Sequence, residues 1–202
     1  MKLLPVVLIA AYPALTHAGV MLNAPLLALA GLILLVSAVL FKPLARLRLW
    51  AWLSLAGCTT ALGALTLAEA GRYAIYLPSL LIPAALGVLF GGTLRAGAEP
   101  LISGLARIER GGTLAPDLAR YTRQLTQLWT LMFALMFAGA LTLIVLDEIR
   151  LWSLLTNVLN YVAVGLLLVL EYVYRRWRFR HHPHPGLFEH LRTVARTRRG
   201  VS

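Results

Sequence analysis

Four polar side chains between positions 120 and 127 are spaced so that they could bind an anion. They are Arg120, Arg123, Gln124 and Gln127. Intervals of three and four residues place side chains on one face of a helix, so these four form a single polar stripe. Arginine presents a planar fork of donors that matches phosphate and carboxylate oxygens. The stripe therefore predicts a site for an anionic head group, a phosphate or a phosphopantetheine-borne substrate.

A structural interpretation of the stripe is also open, and the frequency of arginines at membrane borders favours it. Arginines at a membrane border commonly extend toward lipid phosphate or pair with nearby carboxylates. Three carboxylates lie in the same region, at Glu99, Glu109 and Asp117.

Glu171 is a carboxylate in the last apolar segment and needs a positive partner there. The partner could be an arginine of the region 87–129, which would fix that region to the last helix. It could also be Arg175, one helical turn later. The candidate anion-binding residues are Arg95, Arg120, Arg123, Glu171 and Tyr121, the last of which faces away from the stripe.

The composition indicates an integral membrane protein. Hydrophobic residues make up 59% of the chain and charged residues 13%, whereas soluble domains have about one half and one quarter. The apolar residues form blocks of about 20 residues, the length that crosses a hydrocarbon core of about 30 Å. The net charge is +11. Its basic residues border the apolar blocks and no nucleic-acid-binding motif accompanies them, so we predict no nucleic-acid partner.

The blocks predict an all-α bundle of six transmembrane helices within residues 1–174. The spans are 3–20, 24–41, 50–68, 73–92, 125–146 and 151–174, with a loop at 93–124 and a basic tail at 175–202. Within the loop, Pro100 to Arg110 predicts a short amphipathic helix on the membrane, ended by Gly111 and Gly112. A second helix is expected to begin at Pro116 and to continue into the fifth span.

The short helix has two distinct faces. Leu101, Leu105 and Ile108 share one, and Ser103, Arg107 and Arg110 share another. Lysine and arginine also predict the orientation of the bundle, because 17 of them fall on one side and only Arg72 and Arg150 on the other. The positive-inside rule then places both termini and the loop in the cytoplasm.

The remaining polar residues indicate packing more than chemistry. His17 is a lone histidine in an apolar span, and Asn157 with Tyr161 suggests hydrogen bonds between helices. The tract His181, His182 and His184 lacks the residues that would complete a metal site. No common catalytic motif is present, so we predict no metal and no cofactor, assign no catalytic residue, and leave open whether the protein is an enzyme.

Three segments carry a resemblance to a known family. They are FGGTLRAGAEPLISGLARIERG, LAPDLARYTRQLTQLW and LEYVYRRWRF. They resemble a family of small bacterial membrane proteins encoded beside fatty-acid-synthase-like genes in aryl polyene and xanthomonadin-type pigment clusters. The resemblance extends over residues 5 to 180, but family members carry basic residues at Gly92 and at Ala98 or Glu99, so their charge geometry does not transfer directly.

The resemblance implies an inner-membrane component of a pathway that builds aryl polyene chains on acyl carrier proteins. Two functions fit that context. The protein could anchor an acidic carrier protein or soluble synthase through its basic cytoplasmic face. Alternatively, it could be an enzyme or translocator that acts on a lipid-linked acyl or polyene substrate with an anionic head group.

Overall fold

The computed structural model describes residues 4–67 and 71–178, and within these ranges all regular elements are helical. The predicted all-α fold is therefore confirmed. The helices are α1 Leu4–Met21, α2 Pro25–Val39, α3 Phe41–Ala45, α4 Leu49–Leu67, α5 Gly71–Gly92, α6 Leu101–Glu109, α7 Pro116–Val145, α8 Ile149–Leu154 and α9 Asn160–Arg178, with a π-helical turn at Leu155–Leu159 between the last two.

Four helical stretches are long and apolar enough to cross a membrane. They are Leu49–Thr66, Tyr73–Gly92, Pro116–Val145 and Ile149–Arg178. Their length and hydropathy indicate a membrane-embedded protein.

The six predicted spans are not confirmed, because the described residues contain four stretches with the length and hydropathy of a full span. The 18 residues of α1 match the shortest of these in length, whereas the apolar helix Pro25–Val39 is shorter. The 15 residues of α2 rise about 22 Å, less than the hydrocarbon thickness of about 30 Å. Asn23 adopts a φ of 51° between α1 and α2, and Pro25 begins α2, so the turn itself limits the helix.

The α1–α2 pair packs closely through glycines. A Cβ atom added at Gly19 would lie 2.7 Å from the backbone nitrogen of Ala28, and one at Gly31 would lie 2.9 Å from Thr16 Oγ1. These separations are too short for any larger side chain. Glycine thus sets the distance between the two helices.

The α5–α7 pair also packs through glycines, at Gly87 and Gly91. A Cβ atom added at Gly91 would lie 3.1 Å from Thr130 Cγ2, and one at Gly87 would lie 3.7 Å from Phe133 Cβ. Phe90 packs edge-on against Phe133, with ring centroids 5.4 Å apart. These glycines therefore serve helix packing.

The small residues of α4 behave differently. Small side chains permit close contact between helices, but no atom lies within 4 Å of a Cβ added at Gly57 or Gly63. Within the described chain, these two positions do not mediate helix packing.

The contacts divide the chain into two units, Met1–Tyr161 and Val162–Ser202. The described part of the second unit is the remainder of α9, which ends with Arg175, Arg176 and Arg178 in its last turn. The first unit holds the other helices and a buried core around the fully buried Trp152, whose ring meets Tyr76 edge-on at 4.8 Å.

The segment between α5 and α7 follows the prediction closely. The short helix α6 begins after Pro100 and ends at Glu109, and Gly111 and Gly112 follow with φ values of 78° and 109°. Only glycine adopts these angles without strain. α7 begins at Pro116 and runs unbroken for 30 residues.

Candidate functional site

Hydroxyl groups of α7 and of the turn after α5 hold α6 in place. Thr93 Oγ1 accepts a hydrogen bond from the backbone N–H of Leu101 at 3.0 Å, and Thr126 Oγ1 accepts one from Ile102 at 3.4 Å. Pro100 provides no side-chain cap, so these threonines satisfy two of the N–H groups that begin α6.

A buried pair of hydroxyls joins the middle of α6 to α7. Ser103 Oγ lies 2.7 Å from Thr122 Oγ1, and both side chains are buried. The Thr122 hydroxyl also bonds to the carbonyl oxygen of Leu118 at 2.9 Å. Because a threonine has one hydroxyl proton, Ser103 donates to Thr122 when that proton is used on the carbonyl.

This attachment turns the polar side of α6 inward. Ser103 is 4% exposed, whereas Leu105 is 60% and Ile108 is 73% exposed. Leu105 and Ile108 therefore lie on the outer side and Ser103 on the inner side, where hydroxyl bonds hold it. Arg107, predicted to share the face of Ser103, is exposed in its pair with Glu99.

An ion pair joins Glu99, which precedes α6, to Arg107 near the end of this helix. Arg107 donates from Nε and from NH2 to the two carboxylate oxygens of Glu99, each at 2.8 Å. These hydrogen bonds lower the pKa of Glu99 and raise the pKa of Arg107. Glu99 therefore pairs with α6 and leaves the predicted stripe without this carboxylate.

The stripe on α7 is exposed along its whole length. Arg120, Arg123, Gln124 and Gln127 are all exposed. Arg123 donates from NH2 to the backbone oxygen of Leu94 at 3.2 Å, which ties the stripe to the turn after α5. Tyr121 is half-buried beside it.

Four arginines in this region have no carboxylate at ion-pair distance within residues 4–67 and 71–161. They are Arg95, Arg110, Arg120 and Arg123. Arg95, Arg120 and Arg123 are also exposed. An exposed guanidinium without an internal partner keeps its donors available for an external carboxylate or phosphate.

The length of α7 indicates that its two arginines, Arg120 and Arg123, lie beyond the hydrocarbon. Thirty residues rise about 45 Å, which exceeds the hydrocarbon thickness by about 15 Å. The charged residues of α7 all lie in its first eight residues, at Asp117, Arg120 and Arg123. The excess length therefore belongs to this end, which we call the α6 end of the bundle.

Glu171 forms one of the two expected pairs. Its Oε1 lies 3.4 Å from Arg175 Nε on the same helix. The other expected pairing, with Arg95, Arg120 or Arg123, stays a prediction.

A second polar cluster lies where α1 ends and α8 begins, and the sequence did not reveal it. His17 Nδ1 lies 3.0 Å from Ser153 Oγ, and Asn157 Nδ2 donates to the same oxygen at 3.2 Å. Trp152 Nε1 donates to Ser79 Oγ at 3.1 Å. Asn157 thus bonds four residues back within its own helical stretch, and Ser153 makes the contact with α1; the interhelical bond expected of Asn157 itself stays a prediction.

A cavity of about 360 Å³ lies near this cluster. Residues of α1, α2, α4, α5 and α8 line it, together with Asn23 of the α1–α2 turn. They are Gly19, Val20, Asn23, Pro25, Ala28, Leu29, Leu32, Leu62, Thr66, Ala74, Ile75 and Ile149. Its size is in the range of small-molecule sites, and its lining suits an apolar chain.

The described residues contain no group of three or more histidines, cysteines or carboxylates that could hold a metal ion. The histidine tract at 181–184 lies outside the described ranges. The single cysteine, Cys58, is exposed on α4.

Taken together, these features define a helical membrane protein with an exposed arginine surface at the α6 end of the bundle and a buried polar cluster beside a cavity. No family model, no curated protein and no solved structure matches the chain.

Proposed function

We propose that this protein is an inner-membrane anchor that binds an acidic acyl carrier protein or a soluble synthase through the α6 end of the bundle. The pathway follows from the resemblance to proteins of aryl polyene clusters. In that setting, carrier proteins deliver growing chains, and a membrane-bound docking surface keeps them near lipid acceptors.

The observation that carries the proposal is the group of exposed arginines without carboxylate partners within residues 4–67 and 71–161, namely Arg95, Arg120 and Arg123. Hydrogen bonds attach α6 to its neighbours, and Arg123 contacts Leu94. A surface held in place loses little conformational entropy when a partner binds. Complementary charge then increases the rate of encounter with an acidic partner and selects against basic ones.

The proposal includes a topology in which α1 and α2 also enter the membrane and both termini are cytoplasmic. It rests on the distribution of lysine and arginine. In a Cys58→Ser background, a cysteine that replaces the exposed Thr113 should react with an impermeant maleimide only in inverted vesicles. A cysteine that replaces Leu22 should react only in intact spheroplasts, and the opposite pattern would reverse the orientation.

Charge reversal tests the docking surface directly. The double variant Arg120→Glu and Arg123→Glu should abolish sedimentation of the acidic carrier protein with inverted membrane vesicles. The control is Arg150→Glu, an exposed arginine in the first turn of α8, which should leave recruitment unchanged. Binding to the wild type should weaken as salt is added. Equal recruitment by the double variant and the control would refute the docking function.

A second function is favoured by the cavity of about 360 Å³ and the nearby bonds between His17, Ser153 and Asn157. The cavity lies at the start of α5, about 25 Å along that helix from the end that Arg95 follows, so in this function it takes an apolar part of the substrate and not the head group. In this function the protein is an enzyme or translocator for a lipid-linked acyl or polyene substrate, and its anionic head group is held by Arg95, Arg120, Arg123 and Glu171. Polar side chains within a membrane commonly mark substrate pathways.

Glu171→Gln separates this function from a structural role. If Glu171 binds substrate, the variant protein stays abundant in the membrane while product disappears or accumulates in the inner membrane. Lipid extracts from separated inner and outer membranes distinguish lost synthesis from lost transport. Loss of the protein itself would instead indicate that the pair with Arg175 is structural.

A further inference from the structure

We infer that α6 is a membrane-surface helix that binds anionic phospholipid, with its apolar face at the boundary between head groups and acyl chains and Arg110 at the lipid phosphate. The inference requires only that the bundle lies in a membrane. It makes no use of the Arg120 and Arg123 stripe, so it stands or falls separately from docking.

The orientation of α6 is the first argument. In water, an amphipathic helix packs its apolar face on the protein and leaves its polar face in solvent. Here Ser103 is buried on α7, while Leu105 and Ile108 point outward at 60% and 73% exposure. This arrangement is stable where the surroundings of the outer face are apolar.

Continuity with the membrane-crossing surface is the second argument. The last turns of α5 expose Val88 and Leu89, and α7 exposes Leu128 and Leu131. These residues belong to stretches that can cross the membrane. Two flanking helices with exposed apolar side chains at the same end therefore bring the lipid surface to the outer face of α6.

The third argument is the positive charge of Arg110, which favours an anionic lipid. Arg107 donates its guanidinium hydrogen bonds to the carboxylate of Glu99. Glu109, two residues further along α6, is exposed. Arg110, which follows directly, has no ion-pair partner in the described part of the chain. Its donors match a phosphate, and one basic residue near an anionic surface favours binding about five-fold.

Quenching of a fluorophore on α6 tests its depth. In the full-length Cys58→Ser protein, Ile108→Cys is labelled with bimane and reconstituted into nanodiscs of phosphatidylcholine and phosphatidylglycerol. Glu109→Cys is the matched control on the neighbouring position. We expect brominated acyl chains to quench the label at position 108 strongly while aqueous iodide has little effect, and the reverse at position 109.

The same label reports lipid preference. Brominated phosphatidylglycerol should quench at position 108 more than brominated phosphatidylcholine at equal mole fraction, and Arg110→Gln should reduce this preference about five-fold. Equal access of iodide to positions 108 and 109 would overturn the membrane location. A preference that survives Arg110→Gln unchanged would overturn the role of Arg110. Ile108 is largely exposed, so its replacement removes little packing.

Discussion

Replacing Thr122 with valine should detach α6 from α7. Valine has nearly the shape of threonine but lacks the hydroxyl group, so the hydroxyl of Ser103, which lies 2.7 Å away, loses its partner. A buried polar group left unpaired costs about 1–3 kcal/mol. That free energy corresponds to an increase of about 5- to 150-fold in the population in which α6 is locally open.

Ser103→Ala should cost less, because the Thr122 hydroxyl keeps its bond to the carbonyl oxygen of Leu118 at 2.9 Å. The loss is then one ordinary hydrogen bond, about 1 kcal/mol. The double variant removes both hydroxyl groups, so neither is left buried without a hydrogen-bond partner. Its cost should therefore be well below the sum of the two single costs.

Local opening can be measured from thiol chemistry. A cysteine at Ala106, a half-buried position of α6, is introduced in the Cys58→Ser protein, and its rate of modification by a maleimide is followed in nanodiscs. When α6 opens and closes faster than the maleimide reacts, the modification rate is proportional to the population in which α6 is open. Additive effects of the two substitutions, or an unchanged rate for Thr122→Val, would refute the assignment of Ser103 and Thr122 as a coupled pair.

Three further predictions address the ion pair, a helix contact and the core. The hydrogen bonds from Arg107 lower the pKa of Glu99, so the stabilisation by this pair is complete above the ordinary glutamate pKa and is lost as the pH falls through the lowered one. Arg107→Gln should raise the midpoint of Glu99 in a ¹³C-carboxyl NMR titration, and an unchanged midpoint would contradict the pairing. Gly19→Ala places a Cβ 2.7 Å from a backbone nitrogen of α2, whereas Gly57→Ala meets no atom within 4 Å. In unfolding by sodium dodecyl sulfate, Gly19→Ala should lower stability by about 1–3 kcal/mol and Gly57→Ala by under about 0.5 kcal/mol. Equal losses of stability would refute the close α1–α2 contact. Trp152→Phe removes the indole N–H donated to α5 at 3.1 Å and some buried volume, so it should lower stability by about 1–3 kcal/mol in the same assay; a neutral result would show that this bond adds nothing.

Local chemistry explains why the segment between α5 and α7 was predictable. Pro116 suits the first turn of a helix, and the two glycines at 111 and 112 suit the φ values found there. Helical spacing also identified which residues of α6 share a face. It did not identify the inward face, because that depends on hydroxyls of Thr93, Thr122 and Thr126 that lie outside α6.

The buried polar cluster could not be predicted, because its members are distant in the chain. His17 and Ser153 are 136 residues apart, and Ser79 and Trp152 are 73 apart. Periodicity relates side chains on one helix and carries no information about which helices meet. The lone histidine in an apolar span was the only signal, and it did not name a partner.

The second predicted span is not confirmed for a related reason. Hydropathy joins 24–41 into one block, but the helix in this block ends at Val39 and a separate short helix, α3, follows from Phe41. Composition reports where a chain is apolar, whereas helix ends depend on backbone bonds and turns.

The threonine bonds at the start of α6 also constrain how the protein is assembled during synthesis. A helix of nine residues is too short to persist alone in water. Thr93 leaves the ribosome before α6 does, but Thr126 follows Ile102 by 24 residues. The first N–H groups of α6 therefore gain both threonine acceptors only after α7 has been made and has packed against α5. The helix α6 thus reaches its final structure late in synthesis. A chain interrupted before Thr126 lacks one of the two acceptors.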